Sequence, residues 1–156
     1  MISQKQSNSR RVVVQNQFLA EVARVLSEGC SVKVRIDGES MYPFIRGGND
    51  EVELQPYAAS RPLQRWECAL FKWKGRYMVH RCIEIQNGMY RMMGDGNLSQ
   101  IEEVPEEAIV GILSTIYHPD GTTQDCRDTQ WLVRGRRWYR WRALRRFLIP
   151  ILRRLG

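Results

Sequence analysis

Residues 68–85 read CALFKWKGRYMVHRCIEI, and this stretch decides the fold class. Two strand-like runs, 68–73 and 76–85, flank the dipeptide Lys74-Gly75. Two such runs joined by two residues, one of them glycine, are typical of a β-hairpin. The sequence therefore predicts two neighbouring antiparallel strands at the centre of the chain.

Other strand-like runs surround this hairpin at short intervals. Polar and apolar residues alternate in 31–36 and 50–54, which is the period of a strand with one buried face. Asn87-Gly88 is a strong turn signal that leads into 89–93, and 109–117 is a further apolar run. Short strands at this spacing predict a mainly β fold with a curled or barrel-like sheet, rather than a parallel α/β fold.

One helix is expected before these strands. Residues 16–28 carry apolar side chains at helical spacing, and Gly29 can end the helix. The apolar positions are Phe18, Leu19, Val22, Val25 and Leu26. We expect a short N-terminal helix that covers one side of the core.

The composition is that of an ordinary globular protein. The chain has 156 residues, 43% of them hydrophobic and 26% charged, which suits one domain with a substantial core. Its four cysteines form no CxxC pair, so they predict reduced thiols rather than a zinc or redox site. Residues 1–9 are polar, and no run of eighteen apolar residues occurs, so we expect a cytoplasmic protein without signal peptide or membrane span.

The net charge of +7 is unevenly distributed. Residues 134–156 hold nine of the 24 basic residues and no Asp or Glu, so in residues 1–133 the 17 acidic residues outnumber the basic ones by two. This boundary predicts a near-neutral domain over 1–133 and a cationic tail over 134–156.

Ser40 and His80 are the best candidates for chemistry. Ser40 follows the alternating run 31–36 in Ile36-Asp37-Gly38-Glu39-Ser40-Met41-Tyr42-Pro43, and His80 lies within a predicted strand. A serine hydroxyl becomes a nucleophile when a neighbouring base takes its proton and backbone N–H groups receive the developing oxyanion. Since the chain has only two histidines, His80 is the candidate base.

A third polar group is needed to orient the imidazole. The nearest candidates in sequence are Asp95, in Gly94-Asp95-Gly96-Asn97, and Glu102, in the acidic pair Glu102-Glu103. Asp95 serves equally well as a turn residue between its two glycines. The other histidine, His118, lies in His118-Pro119-Asp120-Gly121 and is expected to be an exposed turn residue.

Together these motifs resemble a known family. Gly-x-Ser-Met-x-Pro at 38–43, Val79-His80-Arg81 and Gly94-Asp95-Gly96-Asn97 are similar to the serine peptidases that include signal peptidases and LexA-type self-cleaving repressors. The resemblance covers residues 31–113, and the His-Arg pair is similar to the archaeal and endoplasmic-reticulum signal peptidases, in which histidine replaces lysine. It implies a compact curled β-sheet domain.

The same resemblance implies roles for individual residues. Ser40 would be the nucleophile, His80 the base, and Asp95 or Glu102 the acidic member. Because Gly38 stands where some signal peptidases have a serine that donates to the oxyanion, the oxyanion hole would rest on backbone N–H groups, first that of Ser40. Met41 and Pro43, which follow the serine, are the expected substrate contacts.

The resemblance implies an endopeptidase that cleaves leader or signal peptides, or its own chain, without a cofactor or metal. Two alternatives remain open. One is a catalytically weak or inactive peptide-binding or regulatory module of the same fold. The other is a nucleic-acid-associated regulator, although no helix-turn-helix pattern precedes Ser31.

The cationic tail predicts an amphipathic helix. Apolar residues recur at three- and four-residue steps from Trp141 to Leu155, and Pro150 is expected to kink the helix. Arginine-rich helices with tryptophans suit an anionic membrane surface, so we expect a peripheral protein on the inner face of the membrane. The expected contacts are Trp138, Arg140, Trp141, Arg145 and Arg146. Docking on its own domain or on a partner is the second interpretation, and binding to nucleic acid is the least favoured.

Overall fold

A curled antiparallel sheet of eight strands forms the body of the protein, and three helices pack on it. The computed structural model describes residues 2–156, with side chains from residue 15 onward. The helices are α1 (Ile2–Ser27), α2 (Thr129–Arg140) and α3 (Arg145–Leu155). The strands are β1 (Val32–Arg35), β2 (Glu51–Pro56), β3 (Cys68–Trp73), β4 (Arg76–Gln86), β5 (Met89–Met93), β6 (Glu102–Pro105), β7 (Ile109–Tyr117) and β8 (Thr123–Asp125).

The strand order confirms the predicted mainly β fold. Neighbouring strands follow the order β1-β2-β7-β3-β4-β5-β6, and β8 pairs with the C-terminal end of β7, residues 115–117. Six of the strands coincide with predicted runs, whereas β6 and β8 were not predicted. β6 has the sequence Glu-Glu-Val-Pro, and β8 is three polar residues, so neither carries the apolar alternation by which a strand is recognised.

The two predicted hairpins are confirmed by their turn geometry. Lys74 and Gly75 have φ values of 48° and 75°, and Asn87 and Gly88 have φ values of 52° and 74°. Two consecutive residues with positive φ define the type I′ turn, whose twist matches that of the flanking strands. These turns fix the register in which Leu70 faces Val79 and Ile85 faces Tyr90.

Helix α1 covers one face of the sheet. Leu19, Val22 and Leu26 are buried in the same core cluster as residues of β2, β3 and β7. A Cβ atom at Gly111 would lie 2.8 Å from Leu26 Cδ1, so a glycine on β7 permits this close helix–sheet contact. Gly29 has a φ of 87° and follows the end of α1, as predicted.

The helix begins earlier than expected. It starts at Ile2 rather than at residue 16. The sequence did not indicate this first part of the helix, because it lacks the apolar periodicity by which a helix is recognised. The side chains of residues 1–9, on which the expectation about a signal peptide rests, lie outside the described part.

The C-terminal tail is not one helix kinked at Pro150, so that prediction is wrong. The break falls at Arg142–Leu144, a 3-10 turn between α2 and α3, and Pro150 lies inside α3. At the break, the Trp141 N–H donates to the carbonyls of Arg137 and Trp138. Helix α2 begins at Thr129, before the charge boundary at residue 134, and buries Trp131 in the main core.

Candidate active site

Ser40 lies in a tight turn after β1, as the sequence predicted. Gly38, with a φ of 101°, takes the chain out of the strand direction. A Cβ atom at Gly47 would lie 1.9 Å from the Gly38 carbonyl oxygen, so the returning chain passes close to the turn. Ser40 is exposed, while the next residue, Met41, is buried. The turn thus presents the hydroxyl and anchors the residue behind it.

The Gly94-Asp95-Gly96-Asn97 segment supports this turn from behind. The Gly96 N–H donates to the Ser40 carbonyl at 2.8 Å. A Cβ atom at Gly96 would lie 2.2 Å from the Glu39 carbonyl oxygen, and one at Gly94 would lie 2.5 Å from that of Ser40. Both glycines are therefore needed for the approach of two backbone segments, and this loop fixes the position of Ser40.

His80 is bonded to a carboxylate in the interior. Its Nδ1 lies 2.9 Å from Glu102 Oε2, and both side chains are buried. The two residues come from β4 and β6, which are not neighbours in the sheet. The Gln100 side-chain amide donates to Glu102 Oε1 at 2.7 Å, and the Phe71 and imidazole rings pack edge to face. A proton on Nδ1 held by Glu102 leaves Nε2 to exchange a proton with another group.

Asp95 does not contact His80. Its Oδ1 accepts from Arg81 Nε at 2.8 Å and its Oδ2 from Arg81 Nη2 at 2.7 Å, and both residues are buried. Of the two acids expected from the sequence, Glu102 is the partner of the imidazole, and the assignment of Asp95 to that role is wrong. Successive residues of a strand point to opposite faces, so His80 and Arg81 reach different carboxylates.

Burial of the Arg81–Asp95 pair is compensated by further bonds. Burial alone lowers the pKa of Arg81, but the Asp95 carboxylate outweighs it and holds the pKa above its ordinary value. Arg81 Nη1 donates to the Trp66 carbonyl at 2.8 Å, and Trp138 Nε1 donates to the Asp95 carbonyl at 2.7 Å. The pair thus ties β4, the 94–97 loop and α2 together.

Ser40 and His80 line the same cleft, whose volume is about 280 Å³. Met41 lines it too, and its role as a substrate contact stays a prediction. Pro43 does not; it lines a separate depression with His118 and Trp131, because the turn has already reversed by that residue. Within residues 15–156, no hydrogen bond joins Ser40 to His80, and the Ser40 N–H meets no acceptor.

Helix α1 forms one wall of this cleft, which the sequence did not indicate. Asn16 Oδ1 accepts from the Tyr77 N–H at 2.8 Å, and Gln15 Nε2 donates to the Asp37 carbonyl. The first bond reaches β4 shortly before His80, and the second reaches the chain shortly before Ser40. Gln15 and Asn16 are ordinary polar residues of a helix, so only the three-dimensional arrangement marks them.

His118 is more than an exposed turn residue. Its Nδ1 lies 3.0 Å from Asp50 Oδ1, and Asp50 Oδ2 accepts from the Arg46 N–H at 2.7 Å. Asp50 is buried, and the His118 side chain is 32% exposed. The pair closes the loop after Ser40 against β7, and it lies in the depression that Pro43 lines rather than in the cleft.

The C-terminal helices dock on the body beside the site. Arg145 is buried, and its Nη1 donates to the carbonyls of Gly94 and Asn97 at 3.1 and 2.9 Å. Because Trp138 and Arg145 are bonded to the 94–97 loop, their assignment to a membrane surface is wrong. Arg140, Trp141 and Arg146 are exposed. On α3, Arg153 pairs with Glu39, which precedes Ser40.

Comparison with protein-family models and with curated proteins identifies no relative. No protein-family model matches the sequence, and no curated protein matches it. Across the part of the chain that the structure describes, none of the helices has the length and apolar content needed to cross a membrane.

Proposed function

We propose that the protein is a serine endopeptidase with Ser40 as nucleophile, His80 as general base and Glu102 as the residue that orients the imidazole. One observation carries the proposal: an exposed serine and a buried histidine share a cleft, and the histidine Nδ1 is already bonded to a carboxylate at 2.9 Å. A structural histidine needs neither a serine opposite it nor an open cleft.

Each residue performs one step in this mechanism. His80 Nε2 takes the proton of Ser40 Oγ while Oγ forms a bond to the substrate carbonyl carbon. The Ser40 N–H stabilises the oxyanion of the tetrahedral intermediate. His80 then gives the proton to the leaving nitrogen as the C–N bond breaks. Water, deprotonated by His80, hydrolyses the acyl-enzyme and regenerates Ser40.

Glu102 acts on the imidazole rather than on the substrate. Its carboxylate holds the proton on Nδ1, which fixes the tautomer that leaves Nε2 basic, and it stabilises the imidazolium that forms. The Gln100 amide fixes the carboxylate in turn. Ser40 and His80 lack a mutual hydrogen bond in the described residues, which is common in enzymes without substrate, where catalytic bonds tighten on binding.

The substrate class follows from the strand edges beside the cleft. Residues 76–80 of β4 pair with β3 on one side only, since the pairing with β5 begins at Arg81. An extended peptide can add to such an open edge through backbone hydrogen bonds. We therefore propose an extended segment as substrate, such as a leader or signal peptide or a segment of another copy of this chain.

The test compares wild type with Ser40→Ala and His80→Ala. A fluorophosphonate probe should label the wild type at Ser40, and a mixed peptide library should yield new termini. We expect both signals to disappear in Ser40→Ala and to fall by about a hundredfold or more in His80→Ala. Ser99→Ala, a change at an exposed serine near the cleft, is the control and should label as wild type. Equal labelling of wild type and Ser40→Ala would refute the assignment.

A peptide-binding module of the same fold is the second candidate. It is favoured by the missing Ser40–His80 hydrogen bond and by the contacts of α1 with the cleft. Such a module would bind library peptides and release them uncut, with equal affinity in wild type and Ser40→Ala. Mass spectrometry of the recovered peptides distinguishes the two candidates.

A further inference from the structure

The C-terminal helices leave an apolar face uncovered. On α3, Phe147, Ile151 and Leu155 recur every four residues, and they are 56%, 53% and 81% exposed. Residues four apart lie on one face of a helix, so these side chains form a continuous row. Trp141 and Leu144, 56% and 45% exposed, extend the apolar surface across the 3-10 turn. We call these five residues the apolar row.

Positive charge borders this row, and the segment that carries the row has no acidic residue of its own. Arg146 lies one position before Phe147 and Arg154 one position before Leu155, along the adjacent row of α3, and both are exposed. Arg140 and Arg142 are exposed beside Trp141. Residues 129–156 contain no Asp or Glu. An acidic protein partner would satisfy the arginines, but it would not require a row of large apolar side chains between them.

The docked face and the exposed face of this segment are different. Arg145 and Ile149 are buried against the body, and Trp138 is bonded to Asp95, whereas the apolar row faces away. Helix α3 is therefore held in place by its inner face and keeps its outer face free. The surface exists without any rearrangement of the protein.

We propose that the apolar row and its bordering arginines bind the surface of an anionic lipid bilayer. The aromatic and aliphatic side chains enter the boundary between headgroups and acyl chains, and the arginines meet the lipid phosphates. Each basic residue near such a surface contributes about 1 kcal/mol. Because Arg153 on α3 pairs with Glu39, the binding brings the cleft of Ser40 close to the bilayer.

The experiment is co-sedimentation with vesicles, using the full chain with Ser40→Ala so that the result does not depend on catalysis. Vesicles of phosphatidylcholine containing about a third phosphatidylglycerol should carry the protein into the pellet, and high salt should release it. Pure phosphatidylcholine vesicles should bind it far less. A protein that stays in the supernatant with anionic vesicles overturns the proposal.

Two double variants test the residues. Arg146→Ala/Arg154→Ala should weaken binding to anionic vesicles roughly thirtyfold, from two charges at about 1 kcal/mol each. Phe147→Ala/Ile151→Ala should weaken it by about tenfold or more, since both side chains lose their burial in lipid. Leu98→Ala, at an exposed leucine outside the tail, is the control. All replaced side chains are exposed, and an unchanged melting temperature establishes that the variants fold.

Two other results would overturn the membrane proposal. Binding that persists undiminished in both double variants would place the contact elsewhere on the protein. The wild type could also fail to bind vesicles and form a dimer, while Phe147→Ala/Ile151→Ala is a monomer. That result would show that a second copy of the chain covers the apolar row. Size-exclusion chromatography with light scattering measures the second case.

A separate observation concerns α1 and the cleft. The Tyr77 N–H points to the open edge of β4, where Asn16 accepts it, and the backbone groups of Val79 face the same edge because they lie two residues away. On the opposite side of the cleft, Gln15 Nε2 donates a hydrogen bond to the Asp37 carbonyl. An extended peptide that adds to this edge must take the Tyr77 N–H from Asn16.

We infer that α1 is an autoinhibitory element, an inference that rests on the proposed peptidase function. In the closed form, Gln15 and Asn16 satisfy backbone groups that a substrate would use. Opening the cleft breaks two hydrogen bonds, each contributing about 1 kcal/mol, so the closed form is favoured by roughly tenfold to thirtyfold. A substrate that restores these bonds with its own backbone recovers this free energy.

The variant Gln15→Ala/Asn16→Ala tests the inference. We expect peptide cleavage and Ser40-dependent probe labelling to become roughly tenfold faster, because the edge is no longer occupied. Gln17→Ala, at an exposed position of the same helix, is the control and should react as wild type. Labelling that requires Ser40 but has the same rate in the double variant overturns the inference and leaves the peptidase function standing. If no protein is labelled, both the autoinhibition by α1 and the peptidase function are refuted.

Discussion

Arg81 and Asp95 form a buried two-bond ion pair that holds together three parts of the chain. The guanidinium comes from β4, the carboxylate from the loop behind Ser40, and Trp138 of α2 donates to the Asp95 carbonyl. His80 and Arg81 are neighbours in sequence, yet one meets Glu102 and the other meets Asp95. The two acids therefore have separable roles, one in orienting the imidazole and one in stability.

Asp95→Ala should destabilise the fold strongly. The change leaves the Arg81 charge buried without its partner, which costs about 3–5 kcal/mol in the free energy of unfolding. Urea unfolding followed by tryptophan fluorescence measures this loss. Arg91→Ala, which breaks the half-exposed pair with Glu84, is the control and should cost about 1 kcal/mol or less. Similar costs for the two changes would contradict the structural role of Asp95.

Glu102→Gln should impair catalysis more than stability. The amide keeps the shape of the side chain but cannot hold a proton on His80 Nδ1 as a carboxylate does, so labelling and cleavage should slow by about a hundredfold or more. Glu103→Gln, at the exposed neighbour, should behave as wild type. If both changes have equal effects, Glu102 does not orient the imidazole.

Gly96→Ala should displace the turn that carries Ser40. The added Cβ would lie 2.2 Å from the Glu39 carbonyl oxygen, so one of the two backbone segments must move. We expect a lower melting temperature and loss of Ser40 labelling. Gly121→Ala separates this effect from backbone strain: Gly121 has a φ of 86°, but no atom lies within 4 Å of the new Cβ. That variant should lose about 1 kcal/mol of stability and keep its activity.

Arg145→Ala should loosen the 94–97 loop. Its Nη1 donates to the backbone carbonyls of Gly94 and Asn97, and the change removes both hydrogen bonds. Loss of a charged donor lowers the free energy of unfolding by about 1.5–3 kcal/mol. Because the same loop bonds to the Ser40 carbonyl, labelling should slow as well. Arg146→Ala, one residue away and exposed, should change neither stability nor labelling.

The cysteines give a prediction about pH. Burial raises the pKa of Cys68 to about 12, and burial likewise raises that of Cys82 to about 12. At mild pH, a thiol reagent should therefore modify only the exposed Cys30 in the folded protein, and none in Cys30→Ser. Above the ordinary thiol pKa of 9.0, unfolded thiols ionise while the buried ones stay neutral. The free energy of unfolding should then fall as the pH rises toward about 12.

Much of the sheet was predictable from local signals. Alternation marks 31–36 and 50–54 because each strand buries one face. The dipeptides Lys74-Gly75 and Asn87-Gly88 mark turns because the tight connection between two paired strands needs residues that accept positive φ. Ser40 and His80 were also recognisable, because a serine turn and a strand histidine have distinct surroundings in sequence. The sequence left the choice between Asp95 and Glu102 open, since it depends on which strand face each residue of β4 occupies.

What the sequence could not predict depends on distant partners. Helical periodicity places Arg145 among the solvated arginines, and it is buried only because the carbonyls of Gly94 and Asn97 lie opposite it. The polar pair Gln15 and Asn16 has no periodic signal, and its contacts with Tyr77 and Asp37 join residues remote in sequence. Strand β6 was missed because half of its residues are glutamates.

The docking of Arg145 on the Gly94 carbonyl also sets an order of events during synthesis. The two residues are 51 positions apart, so the ribosome releases Ser40, His80 and the 94–97 loop well before the arginine that stabilises that loop. A nascent chain holds the complete set of reacting groups while the turn behind the serine still lacks this support. The peptidase activity proposed above should therefore stay low until α3 has emerged and docked.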